Sequence, residues 1–212
     1  MCFSAAASFT AAGVIGAVGV ATLAQKPEPK RLAFALIPLI FALHQLIEGF
    51  IWLSVGTGAE PSAFLTVAYL FLAQIFWPTY TPLSVLLIEQ DKRRRWALMM
   101  LLAVGLIVSG VLGGVLIGSE YTVRAVSGSL SYTTDHQFEK RLLELYLLAT
   151  AAPLLISRHR YVMAFGGVIL IGSIVTQLAF YYAAASVWCF FAAIGSPLVF
   201  LHVRRQARLA RG

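Results

Sequence analysis

RLAFALIPLIFALHQLIEGFIWLSV, residues Arg31 to Val55, decides the architecture of this chain. From Leu32 to Val55 it is long enough to cross a bilayer, since about 20 apolar residues in a helix span the hydrocarbon core. It carries two ionisable side chains, His44 and Glu48, one helical turn apart and therefore on one face. An ionisable group at membrane depth costs about 3 kcal/mol or more. Such groups face the interior of a helix bundle, where a partner, a metal ion, a proton path or a ligand offsets the cost. The segment thus marks where the protein acts without naming a reaction.

The rest of the 212-residue chain has the same character: 59% hydrophobic and only 12% charged. A soluble domain is about 25% charged, so the composition is that of a polytopic membrane protein. Charges, prolines and glycines divide it into seven expected spans: Phe3–Ala24, Leu32–Val55, Ser62–Ile88, Trp96–Ile117, Leu142–Ile156, Tyr161–Ala184 and Val187–Val203. The fifth is the shortest, and a six-span chain with that segment re-entrant is the alternative. The fold class expected is all-α, a single seven-helix transmembrane domain over residues 1–212. Residues 118–141 are expected to form an extracytoplasmic loop, polar and without charge excess.

A formal charge of +7 would suit nucleic acid, but its placement argues against that partner. Lys26, Lys30 and Arg31 precede the second span, Lys92 to Arg95 separate the third and fourth, and Arg158 and Arg160 separate the fifth and sixth. Arg204, Arg205, Arg208 and Arg211 form the tail. The alternate connections hold only Arg124, Lys140 and Arg141. By the positive-inside rule this pattern puts the N-terminus outside and the C-terminus in the cytoplasm. The partners expected are the lipid bilayer and, at the basic tail, anionic inner-leaflet lipids.

With that orientation, the intramembrane polar residues gather between the midplane and the outer face: His44, Glu48 and Trp52, then Gln74 and Trp77, then Glu144, then Gln177 and Tyr181, then Trp188. These nine are the candidate ligand-binding residues. Their asymmetry predicts a polar cavity opening outward. His44 and Glu48 have the donor types and spacing to hold a divalent metal ion, with further donors from Glu144, Cys189 or Cys2. A buried hydrogen-bonded pair is the plainer alternative. Cys2 and Cys189, both expected at outer helix ends, form a disulfide or thiol site if they meet.

Some classes are excluded. A retinal pigment needs a Schiff-base lysine, and no expected span contains an internal lysine. Membrane hydrolases of the alkaline-ceramidase and progestin-receptor type need an intramembrane aspartate and paired histidines in the last helix. Here the last span has only His202, and no span has an aspartate.

The opening MCFSAAASF, the central IPLIFALHQLIEGFIW and FWPTYTPLSVLLIE, and the late SVWCFFAAIGSPL resemble an uncharacterised family of small bacterial integral membrane proteins beginning Met-Cys-Phe-Ser. The resemblance covers most of the chain. It implies a multi-pass location in the bacterial cytoplasmic membrane and a shared multi-span fold, with no activity to carry over. It favours Cys2, Ser4, Gln45, Glu48, Trp52, Trp77, Pro78, Trp188 and Cys189 as parts of the shared core. The function expected is binding of a ligand or ion in the outer half of the bundle, for transport or sensing. A metal- or cysteine-dependent enzyme with an outward-facing site is the alternative. An accessory subunit of a larger complex, or a homo-oligomer, is the second; Gly105, Gly110, Gly113 and Gly114 in span four fit it.

Overall fold

A computed structural model describes the backbone of residues 4–134, 140–179 and 184–209, with the side chains of 140, 179, 184–190 and 192 outside the description. Among the described residues, seven helical rods follow one another: α1 (Ala5–Leu23), α2 (Pro29–Gly56), α3 (Ala63–Leu70) continuing into α4 (Trp77–Ile88), α5 (Lys92–Gly118), α6 (Lys140–Leu155), α7 (Arg160–Ala179) and α8 (Ala184–Leu209). Five of the rods are long and apolar enough to cross a bilayer: those of α1, α2, α3–α4, α5 and α7. Their outward faces carry Phe64, Met100, Ile107, Ile117, Ile171 and Leu178, all exposed, as a lipid-embedded bundle requires. The described part of α6, 16 residues, runs about 24 Å at 1.5 Å per residue.

Local chemistry sets the helix starts. Ser4 caps α1 by accepting from the Ala7 N–H at 3.2 Å, and Asp91 caps α5 by accepting from the Arg94 N–H at 2.9 Å. Pro29 opens α2 at a position where its missing N–H costs nothing. The helix α2 is the centre of the bundle, packed against α1, α4 and α8. Around it lies a core of Phe34, Phe41, Trp77, Val85, Leu98, Leu154, Phe165 and Val199.

The third rod is interrupted. Between α3 and α4, residues Phe71–Phe76 form a π-helical turn, directly before Pro78. Proline cannot donate to the ladder, so carbonyls in the preceding turn need other partners. Tyr146 of α6 donates to the Ala73 carbonyl at 2.6 Å, and Ser109 of α5 donates to the Ile75 carbonyl at 2.6 Å. Side chains of two neighbouring helices thus hold the irregular turn, as an apolar medium demands.

One expectation needs correction. The expected loop over 118–141 contains an antiparallel hairpin, β1 (Tyr121–Val126) and β2 (Ser129–Thr134), paired from Tyr121↔Thr134 to Val126↔Ser129. The fold is therefore mostly helical, as expected, with a two-stranded addition in place of the plain loop. The alternating Tyr121, Val123 and Ala125 suit a strand, and Ser127 (φ 48°) and Gly128 (φ 77°) make the left-handed two-residue turn that hairpins favour. The hairpin leans on the end of the bundle where Ile51, Tyr69, Leu70, Ala73, Leu116 and Leu130 form a second core cluster. At the opposite, basic end meet the α1–α2, α4–α5 and α6–α7 turns and the last turns of α8.

Candidate functional site

Helix periodicity brings His44, Gln45 and Glu48 to the inner face of α2, each all but fully buried. The Glu48 carboxylate accepts from Gln45 Nε2 at 3.2 Å on one oxygen and from the Tyr69 hydroxyl of α3 at 3.4 Å on the other. The Tyr69 ring also lies against His44, with ring centroids 4.3 Å apart. Tyr69 therefore touches both members of the pair. Above it, Tyr132 of β2 stacks at 4.6 Å and 12°, so the hairpin covers the cluster. Half-buried Trp52, one turn beyond Glu48, packs into the same region with Tyr121 and Val123. On the other side Gly49 gives α1 its close approach, since a Cβ there would stand 2.7 Å from the Phe9 ring.

Below His44 the environment changes. Phe41, one turn down α2, stacks on Trp77 of α4 at 4.1 Å and 16°. Both rings are buried, and they separate the polar cluster from the apolar core toward the basic end.

The remaining candidates are dispersed. Gln74 lies in the π-helical turn, its Oε1 buried without a hydrogen-bond partner among the described residues. Trp77 Nε1 is in the same position. Gln177 on α7 is half-buried, and Glu144 on α6 is exposed, away from Glu48. Trp188 and Cys189 fall on α8, but their side chains, like Tyr181 and Cys2, lie outside the described residues. Among the described residues, no group of three or more histidine, cysteine or acidic side chains is placed to hold a metal ion. The expected extra ligand Glu144 is thus not brought to the pair, and the cysteine donors lie outside the description.

Sequence reasoning missed Tyr69. A tyrosine inside the run FLTVAYLFLAQIF carries no periodic signal, and only the packing of α3 on α2 brings it to Glu48. Tyr132, noted only as part of a polar loop, is brought in by the strand pairing.

Among the described residues, the donors to the Glu48 carboxylate are two neutral side chains. A tyrosine hydroxyl both donates and accepts, so Tyr69 can donate to an ionised Glu48 or accept from a protonated one by rotating its hydroxyl, while the Gln45 amide only donates to the other oxygen. A second buried carboxylate, Glu89, differs. It accepts the backbone N–H groups of Gln90 at 2.9 Å, Asp91 at 3.1 Å and Arg158 at 3.3 Å, tying the α4–α5 turn to the α6–α7 turn. Beside it, burial holds His159 below the ordinary imidazole value, with the Glu89 charge pulling the other way.

No curated protein and no solved structure matches this chain. A family model described as a family of unknown function (DUF6629) matches residues 1–212. That match spans the buried cluster, the hairpin and the basic end alike, and the chain belongs to this family.

Proposed function

We propose that this chain is a multi-pass protein of the bacterial cytoplasmic membrane, with its hairpin end outside and its basic end cytoplasmic. In this reading it is a sensor that takes up a proton or a small cation at Glu48. The observation that carries this reading is the buried Glu48 carboxylate, held by the side chains of Gln45 and Tyr69 beneath an outer hairpin. Side-chain donors release a carboxylate more readily than backbone donors, because they rotate. The stacked Phe41–Trp77 pair one turn below supports sensing over transport, since two buried aromatic rings lie between the cluster and the core toward the basic end. Tyr132, stacked on Tyr69, links occupancy of the cluster to the position of the hairpin.

The test is Glu48→Gln in detergent-solubilised protein, followed by tryptophan fluorescence and melting temperature against pH, sodium, zinc and manganese. The wild type is expected to show a saturable response to one of these. Glu48→Gln, nearly equal in size, is expected to fold and lose it. A response preserved in Glu48→Gln, with changes confined to melting temperature, would make the cluster a packing device. Tyr69→Phe removes one charge-assisted bond and is expected to cost about 1.5–3 kcal/mol while shifting the response rather than abolishing it.

A further inference from the structure

At the basic end, the α1–α2 turn and the last turns of α8 enclose a recess of about 270 Å³. Gln25, Lys26, Pro27, Glu28 and Arg31 line it from one side, Val203 and Ala207 from the other. Val203 and Ala207 are one helical turn apart and form an apolar wall, with Arg204 and Arg208 next to them on α8. The charged side is asymmetric. Glu28 is held closely by Lys30, at 2.9 Å, but Arg31 reaches it only at 3.4 Å. The Arg31 side chain is 17% exposed, so most of it is withdrawn from water, and among the described residues its ion pair is to Glu28. Lys26 adopts φ 53°, the left-handed conformation that glycine fills at lower cost after a helix end. A lysine occupies that position here, and it lines the recess.

We propose that this recess binds the phosphate of an anionic phospholipid headgroup, with Arg31 and Lys26 as its cationic contacts. A guanidinium meets two phosphate oxygens with parallel N–H bonds, and a lysine adds a point charge. Glu28 stays with Lys30 when phosphate takes Arg31. The apolar wall of Val203 and Ala207 receives the glycerol and first acyl carbons, which a free phosphate lacks. Phospholipid therefore fits the recess better than a soluble anion. The inference is independent of the Glu48 site and of the direction in which the chain is inserted.

Native mass spectrometry of the detergent-purified full chain tests it, using phosphatidylglycerol, phosphatidylcholine and glycerol 3-phosphate as probes. The wild type is expected to retain phosphatidylglycerol at least tenfold better than phosphatidylcholine. Lys26→Gln with Arg31→Gln is expected to remove that preference. Arg93→Gln with Arg94→Gln, which deletes the same charge at the start of α5, is expected to keep it. Ala207→Leu, which narrows the recess at its apolar wall and leaves every charge in place, is expected to weaken phosphatidylglycerol retention as well. Equal losses in both arginine-containing pairs, or full retention in Ala207→Leu, would overturn the site. Displacement of the lipid by an equal concentration of glycerol 3-phosphate would assign the recess to a soluble phosphate and overturn the lipid assignment. Melting temperatures of all variants separate loss of binding from loss of fold.

Discussion

Two buried glutamates differ in the kind of donor described for them. Glu48 is held by side chains that can turn away, and Glu89 by three backbone N–H groups that cannot. Glu89 is buried while Gln90, Asp91 and Arg158 are exposed, so losing Glu89 removes the acceptor that ties the two turns together. Glu89→Ala is expected to cost about 3 kcal/mol, read as a lower midpoint in denaturant, with no change in cation response. Glu89→Gln keeps an accepting oxygen and is expected to recover part of the loss. In the sequence Glu48 stands inside an apolar run and Glu89 at the end of one, before Gln90, Asp91 and four basic residues, and neither context names the donors.

At the scale of elements, the irregular third rod is where helices approach most closely. Pro82 removes the N–H that would have bonded the Pro78 carbonyl, and Gly105 of α5 packs against that carbonyl. A Cβ on Gly105 would stand 1.8 Å from the Pro78 oxygen, so backbone would have to move. Gly105→Ala is expected to destabilise the bundle by about 1–3 kcal/mol, the usual cost of overpacking, measured by unfolding in denaturant. Gly110→Ala serves as control. Nothing lies within 4 Å of its Cβ position, and alanine is the better helix former. The glycines of this helix, alike in sequence, therefore separate by face. Gly105 belongs to the bundle, a Cβ on Gly113 would stand 3.7 Å from Ile75, and Gly110 and Gly114 face outward.

For the whole molecule, the decisive quantity is which end faces the cytoplasm. The three basic turns and the α8 tail gather at one end, and the hairpin caps the other. Single cysteines introduced in a Cys2→Ser, Cys189→Ser background address this directly. A cysteine at Ser127 in the hairpin turn is expected to react with an impermeant maleimide in intact cells, and one at Arg208 only after lysis. Labelling at 208 in intact cells would reverse the orientation and place Glu48 on the cytoplasmic side.

The helical rods were legible because burial in lipid forces long apolar runs, and a run broken by charge or proline shows its own ends. Leu32–Val55 lies inside Pro29–Gly56, and Ser62–Ile88 matches Ala63–Ile88 almost residue for residue. Spacing along one helix was equally readable, which is why His44 and Glu48 could be placed on one face from four residues of separation. The hairpin was missed because its alternation is short and its polar residues mimic a loop. Tyr69, Tyr132 and Arg158 were beyond reach for a deeper reason. Each meets its partner across a helix–helix, strand–helix or turn–turn contact, and which apolar faces pack together depends on side-chain fit over the whole bundle. The sequence determined that this chain folds as apolar helices carrying a buried acid. Only the tertiary structure decided which donors hold that acid, because hydrogen bonding is local in space and not along the chain.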